Sequence, residues 1–347
     1  MDESKVGPAQ DECKINERLK NSPAVPYFVL PTEPGRFSQS LDLTCLRLPE
    51  RHRPAMESYR KNVNALLSTM YLPFRMCIVA AERQRYSLIL AAESIRMLPI
   101  SDVVHDSMPE WEKEKIGLSE EERKRRAAQK AKEKFAVEMA EDGKTACFVH
   151  AFFHFEELVQ DPGIAPALRE LMRQGLVLAW SAIEALANDL FRSLVNEKPA
   201  FSELLLQDER TKKRFQVRDA VGILASYNYN LSEHMGDALN EYCKLDDVDT
   251  IRCVFDVLFP DDEELRAELT HDDLWRLFQR RNLIVHRRSI VDQTYLDNTG
   301  DKVSLGSELP VGPVEVDNAT KVLVSLGLKL LSAVVKTQPM KFVAEQS

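Results

Sequence analysis

A guanidinium, a carboxamide and an imidazole stand close together in LWRLFQRRNLIVHRRSIVDQTYL, residues 274–296, as Arg281, Asn282 and His286. At about 100° per residue, Leu274, Leu277, Phe278, Ile284 and Val285 share one helical stripe, and Arg281 falls near its middle. A guanidinium in an apolar face is costly to bury unless a carboxylate, backbone oxygens or a phosphate satisfies its donors, so Arg281 should have a specific partner. Asn282 and His286 lie on the adjoining face with Trp275. On a straight helix Arg281 and His286 point about 140° apart and cannot reach one substrate atom. Convergence requires the helix to end near His286, or a second protomer to supply the missing group. Imidazole exchanges protons near neutral pH, and a planar guanidinium fork holds oxyanions, so acid–base chemistry at an anionic substrate is within reach of these residue types.

A second polar flank runs along AWSAIEALANDLF, residues 179–191. There Leu176, Trp180, Ile183, Ala187, Leu190 and Leu194 make a core stripe, with Ser181, Glu184 and Asn188 beside it. Glu184 reads either as an ordinary flank carboxylate or as the partner of Arg281 or Arg280 across a bundle. Further cations cluster at Arg276, Arg280, Arg287 and Arg288; Lys212, Lys213, Arg214 and Arg218 form a second basic patch or a solvated helix start. His150 and His154 have a metal-compatible spacing but no third ligand, so aromatic helix packing is the better reading and no metal site is assigned. Asp261, Asp262, Glu263 and Glu264 read as the acidic first turn of a helix.

The string R-N-L-I-V-H followed by R-R-S-I-V-D-Q-T-Y-L resembles the signature of HEPN domains (higher eukaryotes and prokaryotes nucleotide-binding): an Arg, four to six residues, then a His at the end of a helix in an all-α bundle. Asn282 matches the polar residue after the Arg in many bacterial members, and Val291, Asp292 and Tyr295 match the short extension after the His. AWSAIEALANDLF resembles the early HEPN helix in which Ser or Thr precedes Glu by three residues. The resemblance covers residues 145–340 and is similar to the stand-alone proteins grouped with RiboL-PSP-HEPN. It implies a metal-independent RNA endonuclease, a toxin or antiviral defence effector, whose site is shared between two protomers. In that site Arg281 would clamp phosphate, His286 would act as general base or acid, and Asn282 would position the phosphate or the His. Glu184 and Ser181 would orient the site, and Arg276, Arg280, Arg287 and Arg288 would hold RNA. The implied partners are RNA, a second copy and a cognate antitoxin or regulatory protein, with no cofactor. The competing reading is an inactive HEPN module for dimerisation or partner binding, with regulation in the N-terminal region.

The elements that would position these residues follow from patterning. At roughly 100–200 residues per domain, 347 residues suggest two domains. Hydrophobic residues at 44% and charged residues at 29% are ordinary for a globular chain and exclude collagen-like or low-complexity architecture. No run approaches about 18 consecutive apolar residues and the first thirty residues are polar, so no membrane segment or secretory leader is expected and the cytoplasm is the default. The six cysteines show neither disulfide-framework nor zinc spacing. The net charge of −9, from 46 basic and 55 acidic side chains, rules out indiscriminate nucleic-acid binding and demands a local basic patch for any RNA role.

The expected fold class is α+β overall. Residues 1–25 form a polar arm, and 26–108 a small α/β domain. In that domain one hairpin joins YFVL to LDLTCLRL and another joins RMCIVAA to YSLILAAESIRML, around the helix ESYRKNVNALLSTMY; the second pair of runs could equally be helical. Residues 109–144 form a charged helical linker with a capping box at Ser119 and Glu122. Its basic half, Lys124 to Lys134, reads as a solvated face, with phosphate contact as the sharper possibility. Residues 145–340 form an all-α domain with breaks at Pro162, Pro199, Pro260 and Gly300 to Pro313, where Asn298 to Gly300 is a turn signal around which a short hairpin is expected, and 341–347 a tail.

Overall fold

The computed structural model describes residues 48–100, 103–140, 142–216 and 219–337. Those residues fall into two compact units, one of 71–165 and one of 48–70 together with 166–337. A short 3₁₀ turn, Glu50–His52, leads into α1 (Arg53–Arg96), followed by α2 (Glu110–Gly117), α3 (Glu120–Ala140) and α4 (Gly143–Gln160). The chain continues through α5 (Ala165–Glu197), α6 (Ala200–Gln207), α7 (Ala220–Ser226), α8 (Met235–Tyr242) and α9 (Val248–Leu258). It ends with α10 (Glu263–Leu269), α11 (Asp272–Arg287), α12 (Gln293–Thr299) and α13 (Pro313–Lys336).

No strand is present among the described residues; the only extended pairing there is a single antiparallel bridge, Ile290 to Glu308. The α+β expectation is therefore corrected to a mostly all-helical protein, and the α/β domain at 26–108 does not stand. RMCIVAA, the supposed turn ERQR and YSLILAAESIR all lie inside α1. The cause is visible in the burial: Met56, Tyr59, Val63, Leu66, Leu67, Met70, Phe74, Cys77 and Ala81 are covered at intervals of three and four, the helical period rather than the strand period. Glu82 to Arg85 contain no Gly or Pro to turn the chain, whereas Pro73, the one proline beyond the first turn of α1, does not end it. The other predicted hairpin, at residues 27–48, lies outside the described residues except for its last position. Among the described residues no hairpin of strands closes on the turn signal at Asn298 to Gly300, where α12 ends, although its flanks meet in the Ile290 to Glu308 bridge. Residues 289–291 pair with 306–309, through Val291 N–H to Ser307 O at 2.9 Å and Leu309 N–H to Ser289 O at 2.7 Å.

In the unit of residues 71–165, α3 packs on α4. Ser119 Oγ accepts from the Glu122 amide at 3.2 Å, as a helix cap does. Ala127 and Ala131 are the buried face of α3, and its solvated surface carries ion pairs such as Lys124 with Glu120 and Arg125 with Glu122. Phe74 meets Phe148 and Phe155 edge-on, with centroids 5.3 and 5.7 Å away, so the aromatic run around His150 and His154 is a packing surface. Both histidines are exposed, and no group of three metal-ligating side chains occurs among the described residues.

The second unit is organised around α5. Its residues Leu176, Trp180, Ile183, Ala187, Leu190 and Leu194 are all fully buried. Against them stand Ile251, Val254 and Phe255 of α9, Leu274 and Leu277 of α11, and Leu323, Leu330 and Leu331 of α13, in one continuous core. Asp262 caps α10 by accepting from the Leu265 amide, and Glu263 and Glu264 fill its first turn. By length and composition, Glu50–Arg96 and Pro313–Lys336 could cross a membrane, but the second is the core helix α13.

Two close approaches pin the start of α1 to this core. Tyr59 Oη donates to the Leu323 carbonyl at 2.6 Å, and its ring lies where a Cβ on Gly327 would stand, 2.2 Å from that hydroxyl oxygen. Gly327→Ala is therefore expected to lower unfolding free energy by about 1–3 kcal/mol, read by urea denaturation; an unchanged midpoint would contradict this packing. His52 is fully buried, its Nδ1 2.7 Å from Ser193 Oγ and its Nε2 2.8 Å from Glu197 Oε2. Burial holds the His52 imidazole below its ordinary pKa, against the opposing pull of Glu197. The unfolded chain then takes up the proton first on acidification, so this contribution to stability is intact above about pH 6.5 and falls as the pH drops below it. His52→Gln is expected to flatten the decline in urea midpoint between about pH 7 and pH 5; an equally steep decline would assign it to other groups.

Candidate functional site

Helix α11 carries the Arg, Asn and His. The His271 ring caps its start, Nδ1 accepting from the Asp273 amide at 3.2 Å, and Asp272 and Asp273 complement the helix dipole there. The opposite end terminates sharply. Arg288 and Ser289 adopt left-handed backbone with φ of 52° and 65°, and both amides turn back to the Leu283 carbonyl. Two consecutive left-handed residues without a glycine are uncommon, and here they are held by the buried Ser289 and its extended pairing.

The apolar face of α11 differs from the expected stripe at one edge. Leu274, Leu277 and Ile284 are buried and Phe278 lies 4.8 Å from the Trp180 ring, but Val285 is 46% exposed and Leu283 is buried in its place. Helix α12 folds back over the flank that carries Leu283, which rotates the covered face away from Val285.

Arg281 is half-buried in the middle of that face. Its Nη1 donates to the neighbouring Asn282 Oδ1 at 2.9 Å, while its Nε is buried without a hydrogen-bond partner among the described residues. Glu184 of α5 is its electrostatic neighbour: burial raises the Glu184 carboxyl above the ordinary range, and the Arg281 charge works against that rise. Ser181, a turn earlier, is exposed. Asn188 ties α5 to the backbone of Leu245, accepting from its amide at 3.2 Å and donating to its carbonyl at 3.1 Å.

His286 is exposed and lines a shallow hollow of about 210 Å³ with Asn282, Arg287, Asp292 and Tyr295. Arg281 does not line it. Within one chain the helix ends just beyond His286, yet both residues remain on the same helix and do not converge. Asp292 caps α12, accepting from the Tyr295 amide at 2.8 Å, and stands 3.4 Å from Arg287 Nε. The V-D-x-x-Y string is thus a helix start: Val291 and Tyr295 are buried and Asp292 is the cap.

The cations divide into two groups. Arg280 reaches Asp301 Oδ2 at 3.0 Å and Tyr295 Oη at 3.3 Å, and Arg276 bonds Asp273 at 3.2 Å and stands 3.5 Å from Asp301. Their donors hold α11 to the loop after α12. Arg287 and Arg288 are exposed at the helix exit. In the second basic patch Lys212 pairs with Glu209 at 3.6 Å and Arg214 with Asp247 at 3.5 Å, Lys213 is exposed, and Arg218 lies outside the described residues.

Asp301 is the residue that sequence reasoning missed. It is the shared counter-ion of two arginines and the acceptor for Tyr295 Oη, and the Arg280 and Arg276 charges with the tyrosine hydroxyl hold its carboxyl below the usual range despite burial. Twenty or more residues separate it from its arginines, so no local pattern marks it. No protein-family model matches this chain, nor does any curated protein or solved structure. Asp301→Ala leaves Arg280 without its counter-charge and is expected to destabilise the unit by about 3 kcal/mol, a lowered urea midpoint; a wild-type midpoint would show that the network adds nothing.

Proposed function

We propose that this chain is a metal-independent RNA endonuclease of HEPN type that works as a dimer. The observation that carries the reading is the Arg281 guanidinium, half-buried in an apolar helix face with a buried, unpartnered Nε, beside an exposed His286 that nothing in its own chain engages by a hydrogen bond or ion pair among the described residues. The Nε is closed to substrate, but Nη2 makes no hydrogen bond among the described residues and is left for a phosphate, and such a histidine is open to substrate. Because the two diverge on one helix, a second protomer supplies the group that the first cannot aim. The exposed Arg287 and Arg288 at the helix exit extend the positive surface on which an RNA backbone would lie, within a chain that is acidic as a whole.

In this mechanism a ribose 2′-hydroxyl attacks the adjacent phosphorus. The O2′–P bond forms, the P–O5′ bond breaks, and one proton moves from the 2′-oxygen to the departing 5′-oxygen. One imidazole accepts the first proton and the partner's imidazole, or the same one after transfer, delivers it to the leaving oxygen. Arg281 bears the charge that builds on the non-bridging oxygens. Glu184, close enough to feel the Arg281 charge, orients that guanidinium. The role is that of a toxin or defence effector in the cytoplasm, restrained by a cognate protein.

The purified chain is expected to cleave single-stranded RNA in EDTA, leaving cyclic-phosphate ends. His286→Ala and Arg281→Ala should each lower the rate by about 100-fold or more. His286 is exposed, so its alanine variant should keep the wild-type melting temperature. Equal cleavage by wild type and His286→Ala, or a monomer by light scattering at micromolar concentration, would overturn the composite site.

A further inference from the structure

The unit formed by residues 71–165 contains a cavity of about 750 Å³ walled by the last turn of α1, by α2 and by α3. It lies far along the chain from the α11 motif and plays no part in the mechanism above. Its size is that of a small-molecule site. Arg96, Lys115, Arg125, Arg126 and Lys130 line it against Glu93, Glu114 and Glu133, so the wall carries two positive charges in excess although the chain as a whole carries −9.

The carboxylates are already engaged. Glu93, only 3% exposed, accepts from both Arg96 and Lys134 at 2.5 Å. Glu114 is bonded by Arg126 Nη1 at 2.6 Å, and Glu133 accepts from Gln129 at 2.7 Å. The cations are less fully engaged. Lys130 makes no ion pair among the described residues, and Arg125 meets only Glu122, at 3.0 Å in a solvent-exposed pair of the kind that contributes little. Between these charges stands Trp111, an indole 53% exposed, with Lys115 Nζ 4.5 Å from its ring centroid. A solvated helix face explains a run of paired charges, but not a concave surface where an unpaired lysine and an open indole share one wall.

Aromatic surface beside an unpaired cation fits a planar base joined to a phosphate. We propose that this cavity binds a free nucleotide, its base against Trp111 and its phosphate dianion against Lys130 and Arg126, four residues apart on one face of α3.

The test is titration of the full chain with AMP, adenosine and inorganic phosphate, followed by calorimetry and by tryptophan fluorescence. AMP is expected to bind saturably and to quench Trp111, with adenosine and phosphate each at least about tenfold weaker. Trp111→Leu and Lys130→Glu, both at exposed positions that the fold tolerates, should each weaken AMP by about tenfold or more. Lys124→Glu, on the same helix but outside the cavity wall, and His286→Ala should leave the affinity unchanged. No saturation by about 5 mM AMP, phosphate binding as tightly as AMP, or full affinity in both Trp111→Leu and Lys130→Glu would overturn the proposal.

Discussion

The unit that carries the candidate site depends on the burial of α5. Trp180, Leu190, Phe191 and Val195 are inaccessible to solvent, and the remainder of the stripe from Leu176 to Leu194 is nearly so. A helix covered to that degree needs partners on several sides. The start of α1, then α9, α11 and α13, meet that need by laying their own apolar faces against it in one core. The position of α11 is a consequence. Its Leu274, Leu277 and Phe278 side packs toward Trp180, and this places Arg281 where Glu184 can feel its charge. Disturbing α5 would therefore move the Arg and the His together.

Charge in this protein acts locally. The arginines of α11 look alike in sequence, yet Arg276 and Arg280 fasten the helix to Asp301 and Arg287 stands 3.4 Å from Asp292, whereas Arg288 is exposed with no ion pair among the described residues. The same sorting occurs along α3, where Lys124, Arg125 and Arg126 pair within the helix or with α2 while Lys130 and Lys132 have no ion pair among the described residues. A formal charge of −9 describes neither place. What a phosphate would meet is set by which cations have a carboxylate within about 4 Å, and that is a property of packing.

Some of the architecture was legible from periodicity. The α5 stripe, the cap at Ser119, the acidic start of α10 and the helix breaks at Pro162, Pro199 and Pro260 each depend on residues within a turn or two, so local pattern sufficed. The α1 region misled because RMCIVAA and YSLILAA are short apolar runs that suit either a strand or a helix. The choice fell to burial at intervals of three and four along the whole of residues 56–81, a pattern that emerges only over a long window. Val285 misled for another reason: α12 folds back on the Leu283 flank, and a helical wheel contains no information about which neighbour covers which side.

By itself the sequence determined that Arg281, Asn282 and His286 share one helix and that a guanidinium interrupts its apolar face, because a fixed rise and rotation per residue make those relations local. Only the tertiary structure decided that α11 stops one residue past His286, that Asp301 returns to Arg280 and Arg276, and that Arg281 Nε has no hydrogen-bond partner among the described residues. These depend on chain segments distant in sequence. Whether a buried donor is satisfied, and by what, is settled by the segments that pack against it and not by the helix that carries it.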